Sequence, residues 1–166
     1  MKTLSFIPQE GSENREPMSE ITTKKLASGD LQQAKAMFAL MREVFSETCG
    51  PLSDTYLERL LGRNEFWAIG AFTGSEILGG LTAHTLPMTR TEVPELFIYD
   101  IAVRSDQQRQ GVGRRLMGAI REEARKVGIQ QVFVFADSDD LHALDFYRAL
   151  GGVPSTVTSF TFSYDS

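Results

Sequence analysis

The sequence feature that most limits the possible folds is an apolar run, LFIYDIAV at 96–103. A glycine turn joins this run to an amphipathic segment, and a second apolar run follows. Near-continuous apolar runs of this length are typical of strands covered on both faces by helices. The segment 111–127 has apolar residues at helical spacing, and VFVFA at 132–136 is the second strand. A strand, a helix and a strand in this order predict a right-handed parallel crossover.

The remaining segments extend this unit into an α/β protein. Apolar residues at helical spacing predict helices after Asp30 and Ser53, and two alternating segments around the turn at 73–76 predict an antiparallel hairpin. The predicted order is β, α, α, β, β, β, α, β, α, β, with strands at 21–27, 66–72, 77–86, 96–103, 132–136 and 159–164 and helices at 31–45, 54–61, 111–127 and 141–150. We expect a mixed, mostly antiparallel sheet with helices on both faces.

Length and composition exclude several classes of protein. The 166 residues suffice for one domain, 19–166, behind a flexible tail, 1–18. No apolar run approaches the ~20 residues that span a bilayer, and no signal segment is evident, so we expect a cytoplasmic protein without membrane partners. Cys49 is the single cysteine, and His84 and His142 lie far apart, which argues against a disulfide or a metal site. The net charge of −5 argues against nucleic acid and suits a cationic partner.

The turn QRQGVGRR, 108–115, holds two glycines and three arginines at the start of the predicted helix. The first amides of a helix are unpaired and carry partial positive charge, so such a turn can bind a phosphate or pyrophosphate. From the residues alone, a tight turn with a solvated basic face is equally well supported. The two common nucleotide motifs are absent, because Leu116 replaces the third glycine of a Rossmann fingerprint and Arg114 replaces the lysine of a P-loop.

The same turn resembles the acetyl-CoA signature of the GNAT superfamily of N-acetyltransferases, Q/R-x-x-G-x-G/A. Here it is Gln108-x-x-Gly111-x-Gly113, after a strand that ends in DIAV. The segment FYRALG, 146–151, resembles the last helix of the superfamily, which usually ends Tyr-x-x-x-Gly. The element order is also similar, and the likeness covers about residues 20–164.

Within the superfamily the chain is most like the type I aminoglycoside 3-N-acetyltransferases, the gentamicin-modifying branch. ELFIYDIAV at 95–103 looks like the central strand of that branch, RQG at 109–111 like its pyrophosphate loop, and the acids of 136–140 like its acidic loop. The loop 46–62 and the segment 141–145 show less likeness.

The resemblance implies that acetyl-CoA is the co-substrate, with no metal, and that it lies between the diverging strands 96–103 and 132–136. An amide near the end of the first strand would hold the oxyanion that develops when an amine attacks the thioester. The residues expected to bind acetyl-CoA are Ile101, Ala102, Val103, Gln108, Arg109, Gln110, Gly111, Val112, Gly113 and Arg114. Tyr147 matches the residue that protonates the departing thiolate across much of the superfamily; the alternative is a core tyrosine on an amphipathic helix.

Two carboxylates of the central strand are candidates for accepting the proton of the amine. Asp100 is the first, because a charged residue inside an apolar strand is costly unless it is paired or employed. Its alternative is a buried acid held by arginine or backbone donors. Glu95, at the start of the strand, is the second candidate, and its alternative is an ordinary edge carboxylate.

Asp137, Asp139, Asp140 and Asp145 place four carboxylates within nine residues, with no lysine or arginine between them. We expect the first three, together with Asp100, to bind the ammonium groups of an aminoglycoside. The alternative is a solvated acidic loop in which Asp139 or Asp140 caps the last helix. A nearby negative charge also favours the protonated, unreactive amine, so binding and reactivity impose opposite demands.

The leading hypothesis is therefore an aminoglycoside 3-N-acetyltransferase that gives antibiotic resistance. One alternative is a GNAT enzyme that acetylates another cationic amine, a polyamine or a lysine side chain. Another is an acyl-CoA-binding module without catalysis. Analogy with the superfamily also suggests a homodimer to which the alternating C-terminal strand would contribute.

Overall fold

A computed structural model of the protein describes residues 20–163. Its elements follow the predicted order up to the last helix. They are β1 (Ile21–Lys25), α1 (Leu31–Val44), α2 (Asp54–Leu61), β2 (Phe66–Thr73), β3 (Glu76–Leu86), β4 (Glu95–Val103), α3 (Val112–Lys126), β5 (Val132–Val134) and α4 (Leu141–Ala149). The expected tail, 1–18, lies outside the described residues, and no helix within them is long and apolar enough to cross a bilayer.

The five strands form one sheet in the order β1-β2-β3-β4-β5. Strands β1 to β4 pair antiparallel with their neighbours, whereas β5 pairs parallel to β4. Strand β4, helix α3 and strand β5 are the crossover that the two apolar runs predict. The expected fold class, a mixed and mostly antiparallel sheet with helices on both faces, is confirmed.

Each face of the sheet is covered by a different helix. On one face α3 contributes Leu116 and Ile120, which are fully buried in one cluster with Leu81 of β3. On the other face α1 brings Met37 so close to Gly80 of β3 that a side chain at Gly80 would collide with it. Burying a large apolar side chain contributes about 1.5–3 kcal/mol, so these two helices fix the position of the sheet between them.

Both predicted N-cap residues begin their helices, but only one acts through its side chain. Ser53 Oγ accepts a hydrogen bond from the Tyr56 amide at 3.3 Å. Asp30 is the N-cap of α1 and makes no side-chain bond to that helix. Its carboxylate instead accepts from the Ala27 amide at 3.0 Å and from Lys24 at 2.6 Å, so it fixes the connection between β1 and α1.

Two strand predictions were wrong at the C-terminal side of the sheet. Strand β5 covers 132–134 and not 132–136, because β4 and β5 stop pairing there. The strand expected at 159–164 is absent from the described part, which ends at 163; Phe160 and Phe162 are 78% and 82% exposed. Alternation tells which side chains share a face, but a strand also needs a neighbour for its backbone hydrogen bonds. No described strand lies beside this segment.

Candidate active site

Strands β4 and β5 separate halfway along β4. They pair only at Leu96–Val132, Phe97–Phe133 and Ile98–Val134. Strand β4 then continues through 99–103, paired on its other side with β3. In an antiparallel pair, alternate residues turn their N–H and C=O groups away from the partner, so this stretch offers backbone groups to the opening. We call the opening the fork.

A β-bulge interrupts β4 at the fork. Thr82 of β3 faces Asp100 and the next residue, Ala83, faces Ile98, so Tyr99 is the extra residue. A bulge turns the strand and re-aims its side chains. Asp100 thereby points to the side of the sheet that α1 covers, where Thr82 Oγ1 donates to its carboxylate at 3.4 Å.

Asp100 is half-buried, and its pKa is raised mainly because burial disfavours the charged carboxylate. The hydrogen bond from Thr82 opposes this effect, the negative charge of Glu47 adds to it, and His84 opposes it. No lysine or arginine within 20–163 forms an ion pair with Asp100, so the alternative of an acid held by arginine is not what the structure contains. A carboxylate with a raised pKa is a stronger base, as a proton acceptor requires.

The turn that is predicted to bind a phosphate or pyrophosphate follows β4. Gly111 is the N-cap of α3 and has φ of +86°, a conformation that glycine adopts readily and other residues rarely. Among residues 20–163 no side chain at its N-cap accepts a hydrogen bond from the helix, so no such cap occupies its first amides. Gly113 lies close to α4, because a Cβ there would be 3.1 Å from the ring of Phe146. The turn therefore presents free donors and the positive end of a helix dipole.

Side chains within the turn hold its shape. Arg104 donates to Asp106 at 2.6 Å and also pairs with the first residue of β3, and these bonds raise the pKa of Arg104 and lower the pKa of Asp106. The side-chain amide of Gln108 donates to the Val103 carbonyl at 3.4 Å, and that of Gln110 donates to the Asp106 carbonyl at 2.9 Å. Because both glutamine side chains bind the turn itself, the groups left for a ligand are the backbone amides and the exposed side chains of Arg109 and Arg114.

Tyr147 lies on α4 and is partly buried against the apolar cluster that α3 forms with the sheet. Its pKa is raised, mainly by burial and further by the negative charge of Asp140. With Ile98 and Val134, the last paired residues before the fork, it lines a cavity of about 710 Å³. A phenol with a raised pKa stays protonated near neutral pH, as a proton donor requires. The position of Tyr147 fits the alternative of a core residue as well, and its role as proton donor stays a prediction.

The acidic residues of the β5–α4 connection separate into two groups. Asp140 caps α4, because its Oδ1 accepts from the Ala143 amide at 2.9 Å. Asp145 lies 3.4 Å from Arg148 in an ion pair. Asp137 and Asp139 remain exposed just beyond the carboxyl end of β5, beside the fork. The capping alternative thus holds for Asp140, while Asp137 and Asp139 are free of ion pairs within the described chain.

Glu95 is not near these groups. It begins β4, in register with Leu86, whereas Asp100 lies five residues later on the strand. Their partners in β3, Leu86 and Thr82, are four residues apart because of the bulge, so at about 3.4 Å per residue the two positions are roughly 14 Å apart along the sheet. Within 20–163 no group of three His, Cys, Asp or Glu residues is placed to hold a metal ion.

Sequence reasoning missed two neighbours of Asp100. His84 follows Thr82 by two residues in β3, so strand alternation places both on one face and could have found it. Glu47 comes from the connection between α1 and α2, and no local pattern in the sequence indicates its position.

Known proteins share this fold. The sequence profile described as the Acetyltransferase (GNAT) family matches residues 34–151. An aminoglycoside acetyltransferase from an uncultured soil metagenomic sample, solved with sisomicin, is 32% identical and has a TM-score of 0.84, covering 87% of this chain and 97% of that chain. The same enzyme has also been solved with trehalose. An aminoglycoside N-acetyltransferase solved with CoA has the same fold at 14% identity, with a TM-score of 0.75, over 89% of this chain and 97% of that chain.

A curated relative has a different substrate. The [ribosomal protein bS18]-alanine N-acetyltransferase of Escherichia coli (strain K12) is 30% identical over 70 residues, which is 42% of this chain and 47% of the relative. The chain therefore spans about half the length of the curated relatives that it matches first.

Proposed function

Because the chain belongs to the GNAT family of acetyltransferases, we propose that it transfers acetyl from acetyl-CoA to the 3-amino group of aminoglycosides and so gives resistance to antibiotics such as gentamicin. The observation that carries this proposal is Asp100. It is a half-buried carboxylate at the fork, close to the second negative charge of Glu47, and without a cationic partner among the described residues.

The charges around the fork suit a polycationic acceptor. Asp100 and Glu47 lie on the β4 side, and Asp137 and Asp139 lie on the β5 side. An acceptor with several ammonium groups can pair with both sides at once, which a single amine cannot. The relative that binds sisomicin, at 32% identity, supports an aminoglycoside in this role. The 3-amino position is inferred from the likeness of 95–103 and 109–111 to the type I branch.

The turn before α3 fits the pyrophosphate of acetyl-CoA. Gly111 gives it the left-handed conformation, α3 has no side-chain cap, and Arg109 and Arg114 add positive charge. When bound, acetyl-CoA supplies the acetyl group as an activated thioester. The backbone of Ile101 to Val103, beyond the last β4–β5 pair, would hold the carbonyl oxygen as negative charge develops on it.

Two side chains then manage the protons. Asp100, directly or through water, takes one proton from the ammonium group, and the freed amine nitrogen forms a bond to the acetyl carbon. The carbon–sulfur bond breaks while Tyr147 gives its proton to the sulfur. The nitrogen loses a second proton as the amide forms, and this proton restores Tyr147. One proton per turnover, the one on Asp100, leaves to solvent.

The Escherichia coli relative favours a second candidate acceptor, the terminal amine of a protein, and a polyamine or a lysine side chain belongs to the same group of cationic amines. The same carboxylates would serve in each case. A cytoplasmic location and a homodimer complete the proposal, the latter by analogy with the superfamily.

The test is thiol release from acetyl-CoA by the purified chain with three acceptors: gentamicin, spermidine and a peptide that begins with alanine. We expect turnover with gentamicin and, by NMR of the product, one acetyl group on the 3-amine. Turnover with only spermidine or only the peptide would select the second candidate. Tight acetyl-CoA binding without transfer to any acceptor would indicate a binding module.

Matched variants test the acidic connection. Asp137→Asn should raise the KM for gentamicin without changing the KM for acetyl-CoA. Asp145→Asn is the control, because Asp145 is paired with Arg148. An unchanged gentamicin KM in Asp137→Asn would remove this residue from the acceptor site.

A further inference from the structure

Four aromatic side chains lie on one face of the sheet, on β4, on β5 and directly after β5: Phe97, Tyr99, Phe133 and Phe135. The ring centre of Phe97 lies 5.2 Å from those of Phe133 and Phe135 and 5.8 Å from that of Tyr99. None of the four belongs to either buried cluster, and Tyr99 and Phe135 are 64% and 65% exposed. We call these four rings the aromatic platform.

The β-bulge places the platform and Asp100 on the same face. Strict alternation would put Phe97 and Tyr99 on one face and Asp100 on the other. With Tyr99 as the extra residue, Asp100 instead reaches Thr82, which lies on the same face of β3 as His84. The ring of His84 in turn lies 5.9 Å from that of Tyr99. The aromatic platform therefore lies next to Asp100, the carboxylate on which the proposed function rests.

Contiguous exposed aromatic rings in a folded protein mark a binding surface. The charges around these rings decide what kind of ligand they bind. Asp100 follows Tyr99 in the chain, the negative charge of Glu47 acts on Asp100, and the exposed Asp137 comes two residues after Phe135. Asp100 forms no ion pair among the described residues. An apolar protein surface would bury these carboxylates unpaired, which is costly, whereas a cation would pair with them.

Building on the proposed function, we infer that the aromatic platform determines acceptor specificity by binding the apolar face of a saccharide or aminocyclitol ring whose ammonium groups reach Asp100. Aromatic faces carry partial negative charge and attract the polarised C–H groups on the face of such a ring. A linear polyamine has the charges but no ring face, so it would gain only from the carboxylates. The platform thus selects ring-bearing polyamines over spermidine.

The test compares Phe135→Ala with Phe160→Ala, a control at a phenylalanine that is 78% exposed and outside the platform. We expect Phe135→Ala to raise the KM for gentamicin about five- to thirty-fold, which corresponds to about 1–2 kcal/mol, the usual cost of truncating an aromatic side chain that contributes strongly to binding. The KM for spermidine should stay within about twofold, since a linear polyamine has no ring face for the platform to bind. The KM for acetyl-CoA should change less than the KM for gentamicin. Phe135→Tyr should behave as the wild type, and Tyr99→Ala should repeat the effect if Phe135→Ala does not fold.

An unchanged gentamicin KM, or an equal rise for spermidine, would overturn the inference. So would a change in sedimentation with unchanged kinetics, which would assign the rings to contact between copies of the chain. Calorimetric binding of gentamicin separates this inference from the proposed function. If the wild type binds gentamicin without acetylating it and Phe135→Ala weakens binding, the function fails and the platform stands. If the wild type does not bind gentamicin, the platform is overturned.

Discussion

The two sides of β4 are paired very differently. On one side β3 pairs with β4 at eight positions, from Gly79–Val103 to Leu86–Glu95, whereas on the other side β5 pairs at three. Side-chain exposure also changes at the residue where pairing with β5 ends. Leu81, Leu96 and Ile98 are fully buried, while Tyr99, next along the strand, is mostly exposed.

This difference shows how one strand can serve both stability and function. Full pairing with β3 holds β4 in place, so the backbone of 99–103 can remain unpaired on the side of the fork at no cost to the order of the strand. Asp100 and Tyr99 lie in this unpaired stretch, and the other rings of the aromatic platform lie at the adjoining end of the β4–β5 pair. We refer to β1–β4 with their helices as the closed part, and to the fork with the turn 104–111 and the connection 135–140 as the open part.

The largest expected effect is a loss of stability in the closed part. Ile120→Ala should lower the free energy of unfolding by about 2–5 kcal/mol, because it leaves a cavity at a fully buried position of α3. Val127→Ala, at a residue 61% exposed just after α3, should change it by less than about 0.5 kcal/mol. Urea unfolding measures both. A loss below about 1 kcal/mol for Ile120→Ala would mean that the packing under α3 is not what holds the sheet.

The second effect concerns catalysis in the open part. Asp100→Asn should lower kcat/KM for gentamicin by about 100-fold or more, the usual contribution of a general base. In the wild type, kcat/KM should fall as the pH decreases through the raised pKa of Asp100, and this dependence should vanish in the variant. A larger loss in Glu95→Gln than in Asp100→Asn would transfer the role to Glu95.

Although Asp100→Asn should lower activity, it should raise the free energy of unfolding at neutral pH. A raised pKa means that the folded state holds its proton more tightly than the unfolded state, so Asp100 contributes stability at low pH that is lost as the pH rises through its folded pKa. Asparagine removes this loss. We expect Asp100→Asn to be more stable than the wild type at pH 7, with a difference that shrinks below the ordinary pKa of 3.8. Equal loss of stability and activity would mean that Asp100 is structural.

The third effect compares two glycines of α3 and its turn. Gly111→Ala should cost about 1–2 kcal/mol, because φ is +86° there, and should raise the KM for acetyl-CoA by redirecting the first amides of α3. Gly118→Ala, inside α3 with no heavy atom within 4 Å of the added Cβ, should instead stabilise by about 0.5–1 kcal/mol. Thermal unfolding and acetyl-CoA kinetics check both. An unchanged acetyl-CoA KM in Gly111→Ala would remove the turn from the co-substrate site.

The smallest effect is confined to the closed part. Ser53→Ala removes the side-chain cap of α2 and should cost about 1 kcal/mol, with kcat unchanged. Ser53→Asp should keep the cap and the stability. Urea unfolding and steady-state rates distinguish the two variants, and a loss of kcat in Ser53→Ala would show that the closed and open parts are coupled.

The sequence predicts the closed part well, because each of its helices and strands follows from the residue pattern of its own segment. The apolar spacing of Leu116 and Ile120 gives the buried face of α3, and the strands β2, β3 and β4 lie within a residue of their predicted positions. The positions of Asp100 and Tyr147 also follow from their elements. Their roles in acetyl transfer stay predictions.

The open part is less predictable, because it depends on contacts between distant segments. The alternation at 159–164 predicts a strand, but it contains no information on whether a neighbouring strand is present to pair with it. The apolar run at 96–103 predicts a strand covered on both faces, yet Tyr99 is exposed. The bulge depends on the register of β4 against β3. Glu47, whose negative charge helps to raise the pKa of Asp100, lies in a connection more than fifty residues earlier. No single segment of sequence contains this information.

Hydrogen–deuterium exchange of the chain with and without acetyl-CoA tests the central claim most directly, since that claim is that the fork and the turn form the co-substrate site. We predict that acetyl-CoA slows the exchange of amides in 99–103 and 108–114 and leaves the amides of the β2–β3 pair unchanged. Slowed exchange confined to other segments, or none at saturating acetyl-CoA, would contradict the account.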